Sequence, residues 1–212
     1  MLEHDLKLYY LQQLGIDCWV KRLPSRYQGL QNLAEVVSSC TRCDLHQTRS
    51  QTVFFRGNPE AKLMIIGEAP GYFEDKQGKP FVGQAGELLD RMLASIGFCE
   101  EDVYIANVLK CRPPNNRDPA SSEIEACRSF LNQQIQLVAP QLILALGRFA
   151  GQFLFGASTS LAQLRSVLHH YDKIPFIVTY HPAFLLRTPQ HKKQAYLDLL
   201  FVKEVVSNYE NK

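Results

Sequence analysis

No stretch of this chain is apolar for long enough to cross a bilayer as a helix, which excludes a helical membrane protein. The opening residues, Met1-Leu2-Glu3-His4-Asp5, lack the charged-then-apolar pattern of an export signal, so a cytoplasmic protein is expected. Internal repeats and low-complexity tracts are missing too, which argues against a solenoid and against a long disordered tail. Charge of one sign is scarce: 23 Lys and Arg stand against 21 Asp and Glu, a net +2. Composition therefore dictates no nucleic-acid partner, and permits one only if the basic residues gather on one face. What is present is 212 residues at 46% hydrophobic content, enough for one sizeable core.

Six cysteines in a chain expected to stay in a reducing compartment point to metal ligands or free thiols rather than disulfides. Four fall in a ligand pattern. Cys40 and Cys43 form a C-x-x-C pair, Cys111 stands in Lys110-Cys111-Arg112-Pro113-Pro114, and Cys127 follows at a distance. A tight turn presents two thiolates together, and two more complete a four-sulfur shell suited to an iron–sulfur cluster or a structural zinc. Cys18 and Cys99 read as small buried hydrophobes.

Leu2, Leu6, Tyr9, Tyr10 and Leu14 recur near helical spacing, which predicts a helix over 2–14 within an N-terminal helical extension, 1–28. A single domain is expected over 29–212. It opens with a helix at 29–39 that leads into the cysteine turn. Four short apolar runs follow, at 61–66, 102–108, 141–146 and 174–179, each bounded by breakers and apolar almost throughout, as buried parallel strands are. Helical patterns separate or follow them at 84–97, 121–138, 148–155 and 190–208. The expected fold is α/β: a central four-stranded parallel sheet with helices on both faces, behind an N-terminal helical segment.

Such sheets bind ligands beyond the carboxyl ends of their strands. There the chain delivers Gly67-Glu68-Ala69-Pro70-Gly71, then Asn107 with Lys110-Cys111-Arg112, then Gly147-Arg148, then His181-Pro182-Ala183. A carboxylate, an amide, an arginine and an imidazole thus meet at one rim. Glu68 sits between glycines that allow a ligand close approach. The segment from Tyr72 to Gly83 reads as a long polar loop carrying Phe81 beside Pro80. Asn107 reads either as a turn-forming asparagine or as a base-reading amide; a fixed amide offers one donor and one acceptor, which would match the adjacent O4 and N3–H of uracil and mismatch cytosine. The other histidines, including His169 and His170, read as structural.

The segment from Gly67 through Gly86, the Asn107–Pro114 segment, and His181-Pro182-Ala183-Phe184-Leu185-Leu186-Arg187 together resemble the family 4 uracil-DNA glycosylases, over about residues 30–205. The four cysteines match that family's [4Fe–4S] ligands in order and context. The resemblance implies that Phe81 stacks on a flipped uracil, that Asn107 reads its edge, and that Gly67, Glu68 and Ala69 line the pocket. It implies Glu74 as the carboxylate that activates water, with Glu68 as second candidate, and His181 as the donor to uracil O2. Leu185, Leu186 and Arg187 would belong to a loop entering the minor groove. Lys76, Lys79, Lys110, Arg112, Arg117, Arg148, Arg165 and Arg187 are candidate phosphate contacts, about half of them expected to be ordinary surface charges. The implied partner is uracil-containing DNA, single- or double-stranded, and the implied state a monomer.

These roles agree with the chemistry. Breaking an N-glycosidic bond leaves positive character on the sugar and negative charge on the base, so a donor near O2 and a carboxylate near the sugar are both needed. Two features differ from relatives. No basic insert follows the first motif, which favours turnover over covalent trapping, and Tyr72-Phe73 is more aromatic than expected after Gly71. Two other readings compete: a non-catalytic DNA-binding module on this fold, and an iron–sulfur redox or sensor protein. A redox protein does not require Glu74, Asn107 and His181 on one rim, and a binding module does not require the Glu68 and Glu74 carboxylates, which would repel phosphate.

Overall fold

The computed structural model describes residue 10, residues 13–14 and residues 26–210. Most of the helix expected over 2–14, most of the 1–28 extension and Cys18 lie outside the described residues.

Among the described residues the sheet has six strands in the order β1-β3-β2-β4-β6-β5. These are β1 (Arg56–Gly57), β2 (Leu63–Gly67), β3 (Val103–Asn107), β4 (Leu142–Leu146), β5 (His169–Tyr171) and β6 (Ile174–Thr179). The four apolar runs form its parallel centre, β3-β2-β4-β6. The purely parallel sheet needs correcting, because short antiparallel strands close both edges, β1 on β3 and β5 on β6. Neither edge strand carries an apolar run. β5 reads His-His-Tyr, and it turns into β6 through Asp172 and Lys173, both at positive φ.

Side chains alternate across the central strands. Met64, Ile66, Ala106, Ile143, Ala145 and Val178 face one core, and Leu63, Ile65, Ile105, Leu142, Leu144 and Ile177 face the other. Burial on both faces is why these strands read as continuous hydrophobic runs. The first core is covered by α1 (Arg26–Ser38), α4 (Ser121–Val138) and α5 (Gly147–Phe155). The second is covered by α3 (Gln84–Ala94) and α8 (Lys192–Glu210). Burying each such Leu or Ile contributes about 1.5–3 kcal/mol.

Three short helices occupy stretches that the pattern did not mark as helical: α2 (Tyr72–Gln77), α6 (Leu161–Leu164) and α7 (Pro182–Arg187). The polar loop after β2 therefore begins as a helix. Its buried Asp75 accepts the Ser50 amide at 2.9 Å, and Gly78 closes it at φ +72°. Cys99 is exposed rather than buried, because it stands at the start of a 3-10 turn with its Sγ 3.0 Å from Asp102 Oδ2. His169 is structural as expected, its Nε2 2.9 Å from the Leu164 carbonyl. No helix among the described residues is long and apolar enough to cross a membrane.

Candidate functional site

Beyond the carboxyl ends of the parallel strands lies a cleft of about 540 Å³. Glu68, Ala69, Glu74, Phe81, Asn107, Arg148, His181 and Arg187 all line it. The four groups expected at one rim, from four separate strand ends, are brought together.

Within it, Asn107 and Phe81 meet beside Gly67 and bound a slot. Register pairs Gly67 with Asn107 at the ends of β2 and β3. A methyl on Gly67 would overlap both Asn107 Oδ1 and the Phe81 ring, so glycine keeps the space between them open. Asn107 is 2% exposed, and its Oδ1 is buried with no hydrogen-bond partner. Leaving such a group unpaired costs about 1–3 kcal/mol. Arg56 Nε, Gln134 Oε1 and Gln141 Oε1 are buried and unpaired as well, but of these residues Asn107 is the one that lines the cleft. Phe81 holds φ +55°, a conformation that costs on the order of 1–3 kcal/mol outside glycine. Two neighbours fix it. Gly86 lacks the Cβ that would collide with the Phe81 carbonyl, and Glu74 Oε1 accepts the Val82 and Gly83 amides at 3.2 Å each.

His181 closes the slot, its ring centroid 5.7 Å from that of Phe81. It caps α7, with Nδ1 accepting the Ala183 amide at 3.2 Å. An accepting Nδ1 leaves the proton on Nε2, so the neutral ring presents an N–H donor. Desolvation, then the nearby Arg187 charge, push its pKa down to about 4, which keeps it neutral at physiological pH. Glu68 moves the other way. Burial, reinforced by Asp118 and opposed by Arg148 and Arg187, raises its pKa to about 7. Its proton is therefore poised near neutrality.

The basic residues separate by environment. Lys110 is 1% exposed, and Arg165 is held by Asp198 at 2.8 and 3.0 Å, so neither is free to meet a phosphate. Arg117 pairs with Glu123. Arg148 lies 3.3 Å from Asp118 on the exposed rim. Lys76, Lys79 and Arg187 are exposed, and Arg112 is half-buried. The expected minor-groove loop is the helix α7, and Leu185 is removed from it as a contact: at 1% exposure it packs in the core, while Leu186 and Arg187 face outward.

A second, much smaller cavity of about 20 Å³ is lined by Cys40, Cys43, Cys111 and Cys127 together with Arg42, Arg49 and Lys110. Arg49 donates to Cys111 Sγ at 3.0 Å. As free thiols, Cys43, Cys111 and Cys127 are all pushed up, chiefly by burial, Cys127 to about 11. Among the described residues, no three metal-binding side chains stand close enough to grip a single ion. The Lys110 side chain leaves this cavity to donate to the Asn107 carbonyl at 2.6 Å, joining the two sites.

Sequence reasoning missed Asp118 as the charge opposing Glu68, and Lys110 as a buried strut. A polar run after Pro113-Pro114 was a visible signal for the first. For the second there was none, since a lysine beside an arginine and a cysteine reads as a surface charge.

Residues 54–202 match the model of the uracil DNA glycosylase superfamily, and the chain belongs to that superfamily. A type-4 uracil-DNA glycosylase of Archaeoglobus fulgidus is 42% identical over 186 residues, covering 84% of this chain and 94% of that relative. Another, from Thermotoga maritima, is 42% identical over 165 residues, covering 77% and 86%. A type-5 uracil-DNA glycosylase of Thermus thermophilus is 30% identical over 132 residues, covering 54% of this chain and 60% of that relative. Within the superfamily the chain falls in the type-4 group.

Proposed function

We propose that this chain is a DNA glycosylase that removes uracil from DNA by hydrolysing its N-glycosidic bond, the opening step of base-excision repair. The observation that carries this reading is the slot itself: an unpaired, buried amide oxygen at Asn107 facing Phe81 across a glycine, with a neutral imidazole donor alongside.

In this reading the base is flipped out of the strand, at a cost of a few kcal/mol, and enters the slot edge-on. Phe81 stacks on its face, and Gly67, Glu68 and Ala69 form the wall. The Asn107 amide, with Oδ1 accepting from N3–H and Nδ2 donating to O4, matches uracil and mismatches cytosine. As the bond between C1′ and N1 breaks, its electron pair passes to the base, and His181 Nε2–H donates to the developing charge on O2. Water attacks C1′ and yields its proton to a carboxylate. We assign that task to Glu68, whose pKa of about 7 suits a base working near neutrality. Glu74 is second: its Oε1 is engaged with the amides that hold the Phe81 turn, which leaves its other oxygen for water. Lys76, Lys79, Arg112, Arg148 and Arg187 meet phosphates, and Leu186 supports the strand where the base has left.

Cys40, Cys43, Cys111 and Cys127 would hold a [4Fe–4S] cluster. Its support is four sulfurs lining one small cavity, with cations at Arg49 and Lys110 beside them to balance an anionic cluster. When bound, the cluster supplies a structural cross-link with every iron covered by thiolate. We place the protein in the cytoplasm as a monomer acting on single- and double-stranded DNA.

The test is release of free uracil from both kinds of DNA by purified protein without added metal. Release is expected from each, and no release from either would overturn the reading.

A further inference from the structure

Tyr72 and Phe73, the aromatic pair after Gly71, have no part in the slot, yet they stand at its mouth. The residues on either side of them in the chain, Gly71 and Glu74, both line the cleft. Their own rings point outward, at 50% and 57% exposure, packed edge to face with centroids 5.5 Å apart. Single exposed aromatics need no explanation, but two adjoining ones on a soluble surface are a reason to look for a ligand. Two cations lie over the Tyr72 ring, so the open aromatic face is that of Phe73. The Arg112 guanidinium lies 5.2 Å from the Tyr72 ring centroid and Lys76 Nζ lies 6.0 Å from it. Each is tethered: Arg112 Nε donates to Asn116 Oδ1 at 2.8 Å, and Lys76 Nζ donates to Ser50 Oγ at 2.9 Å. The platform is rigid beneath as well, since Asp75 on the same helix is buried against the Ser50 amide.

We propose that Phe73, backed edge to face by Tyr72, is a stacking platform for an unpaired base next to the flipped nucleotide, with Lys76 and Arg112, held over the Tyr72 ring, meeting the phosphates on either side of it. Aromatic faces set among fixed cations are what a single strand needs, because every base has a π-face and every link has a phosphate. A paired base keeps its faces inside the helix, so the platform favours single-stranded or locally opened DNA over intact duplex. This inference rests on the reading of the cleft as a uracil-in-DNA site, and it adds a contact outside that cleft.

The test uses a fluorescent single-stranded oligodeoxynucleotide carrying one non-cleavable 2′-fluoro-arabino-uridine, and a second probe with base-free tetrahydrofuran spacers on both sides of that nucleotide. Affinities are read by anisotropy. Wild-type protein is expected to bind the spacer probe about tenfold more weakly than the complete one, within the range for loss of one stacked base. A Tyr72→Ser/Phe73→Ser variant is expected to bind the complete probe about tenfold more weakly than wild type, and to bind the two probes equally. Phe73→Trp should keep the preference for the complete probe, which separates stacking from damage to the fold. Equal binding of the complete probe by wild type and double variant would overturn the proposal. So would an equal loss by the double variant on both probes, the mark of a general structural or electrostatic effect. Uracil release from a cleavable version separates the two levels: release with no flanking-base effect sinks the platform alone, and a flanking-base effect without release sinks the uracil reading alone.

Discussion

Three residues of chain, Val108 to Lys110, separate Asn107 in the cleft from Cys111 in the cysteine cavity, yet the two regions are built in opposite ways. The cleft is open, about 540 Å³, and holds groups under tension: an unpaired amide oxygen, a phenylalanine at positive φ, a carboxyl held near neutrality and a histidine kept uncharged. The cavity is small, about 20 Å³, and made of thiols with cations beside them. Perturbed, unsatisfied groups mark where chemistry is done. A small cluster of thiols with hydrogen-bonded cations beside it suits a fastening. In the proposed reading the conspicuous cysteines belong to the scaffold, and quieter residues at the strand ends carry the reaction.

The comparison can be broken from either side. The largest effect is expected on the cleft side. His181→Ala should slow uracil release by about 10³-fold, the upper range for losing one donor to a developing oxyanion, with DNA affinity unchanged in a binding assay. Equal loss of binding would make His181 structural.

Glu68→Gln is expected next, at about 10²-fold. The rate of the wild type should fall on the acid side of a midpoint near pH 7, where Glu68 takes up its proton, and that limb should vanish in the variant. Stability moves in the opposite sense. The native state holds this proton more tightly than the unfolded chain does between pH 4.5 and about 7, so its stability drops as pH rises through that window. Glu68→Gln should melt higher than wild type at pH 8 and match it at pH 4. Identical melting at both pH values would remove Glu68 from the list of tuned groups.

On the cavity side, Cys127→Ala should cost colour and thermal stability before it costs chemistry. The soluble, folded fraction should keep uracil release within about tenfold of wild type, since a cluster with four thiolate ligands leaves no open position for substrate. A stable, colourless and fully active protein would remove the cluster from the account. The smallest effect belongs to the joint. Lys110→Met deletes a hydrogen bond from a charged donor, about 1.5–3 kcal/mol before repacking. The expected result is a release rate lowered by about tenfold or less, with cluster absorbance retained. A loss as large as that of His181→Ala would mean that the two regions act as one.

How much of this was legible follows the same division. β2, β3, β4 and β6 were readable because both their faces are buried, and that condition writes an unbroken apolar run. Glu68, Asn107, Arg148 and His181 were readable because each follows one of those runs. The edges β1 and β5 carry no such run, since edge strands need only one covered face. α2 was hidden by its polar sequence, being held by one buried aspartate rather than by an apolar stripe. Leu185 and Leu186 are adjacent and alike in sequence, and only the helix shows that one points into the core and the other outward. The pairing of Lys110 with the Asn107 carbonyl is a tertiary contact that no local pattern records.

The central claim is that Asn107 reads the base and does not hold the fold. Single-turnover uracil release by Asn107→Ala, with DNA affinity measured on the same sample, tests it most directly. The account predicts a loss of about 10²–10³-fold in the rate, with affinity for undamaged DNA within twofold of wild type, roughly within error on the scale of neutral substitutions. A variant that releases uracil at the wild-type rate, or that loses binding in step with rate, would contradict it.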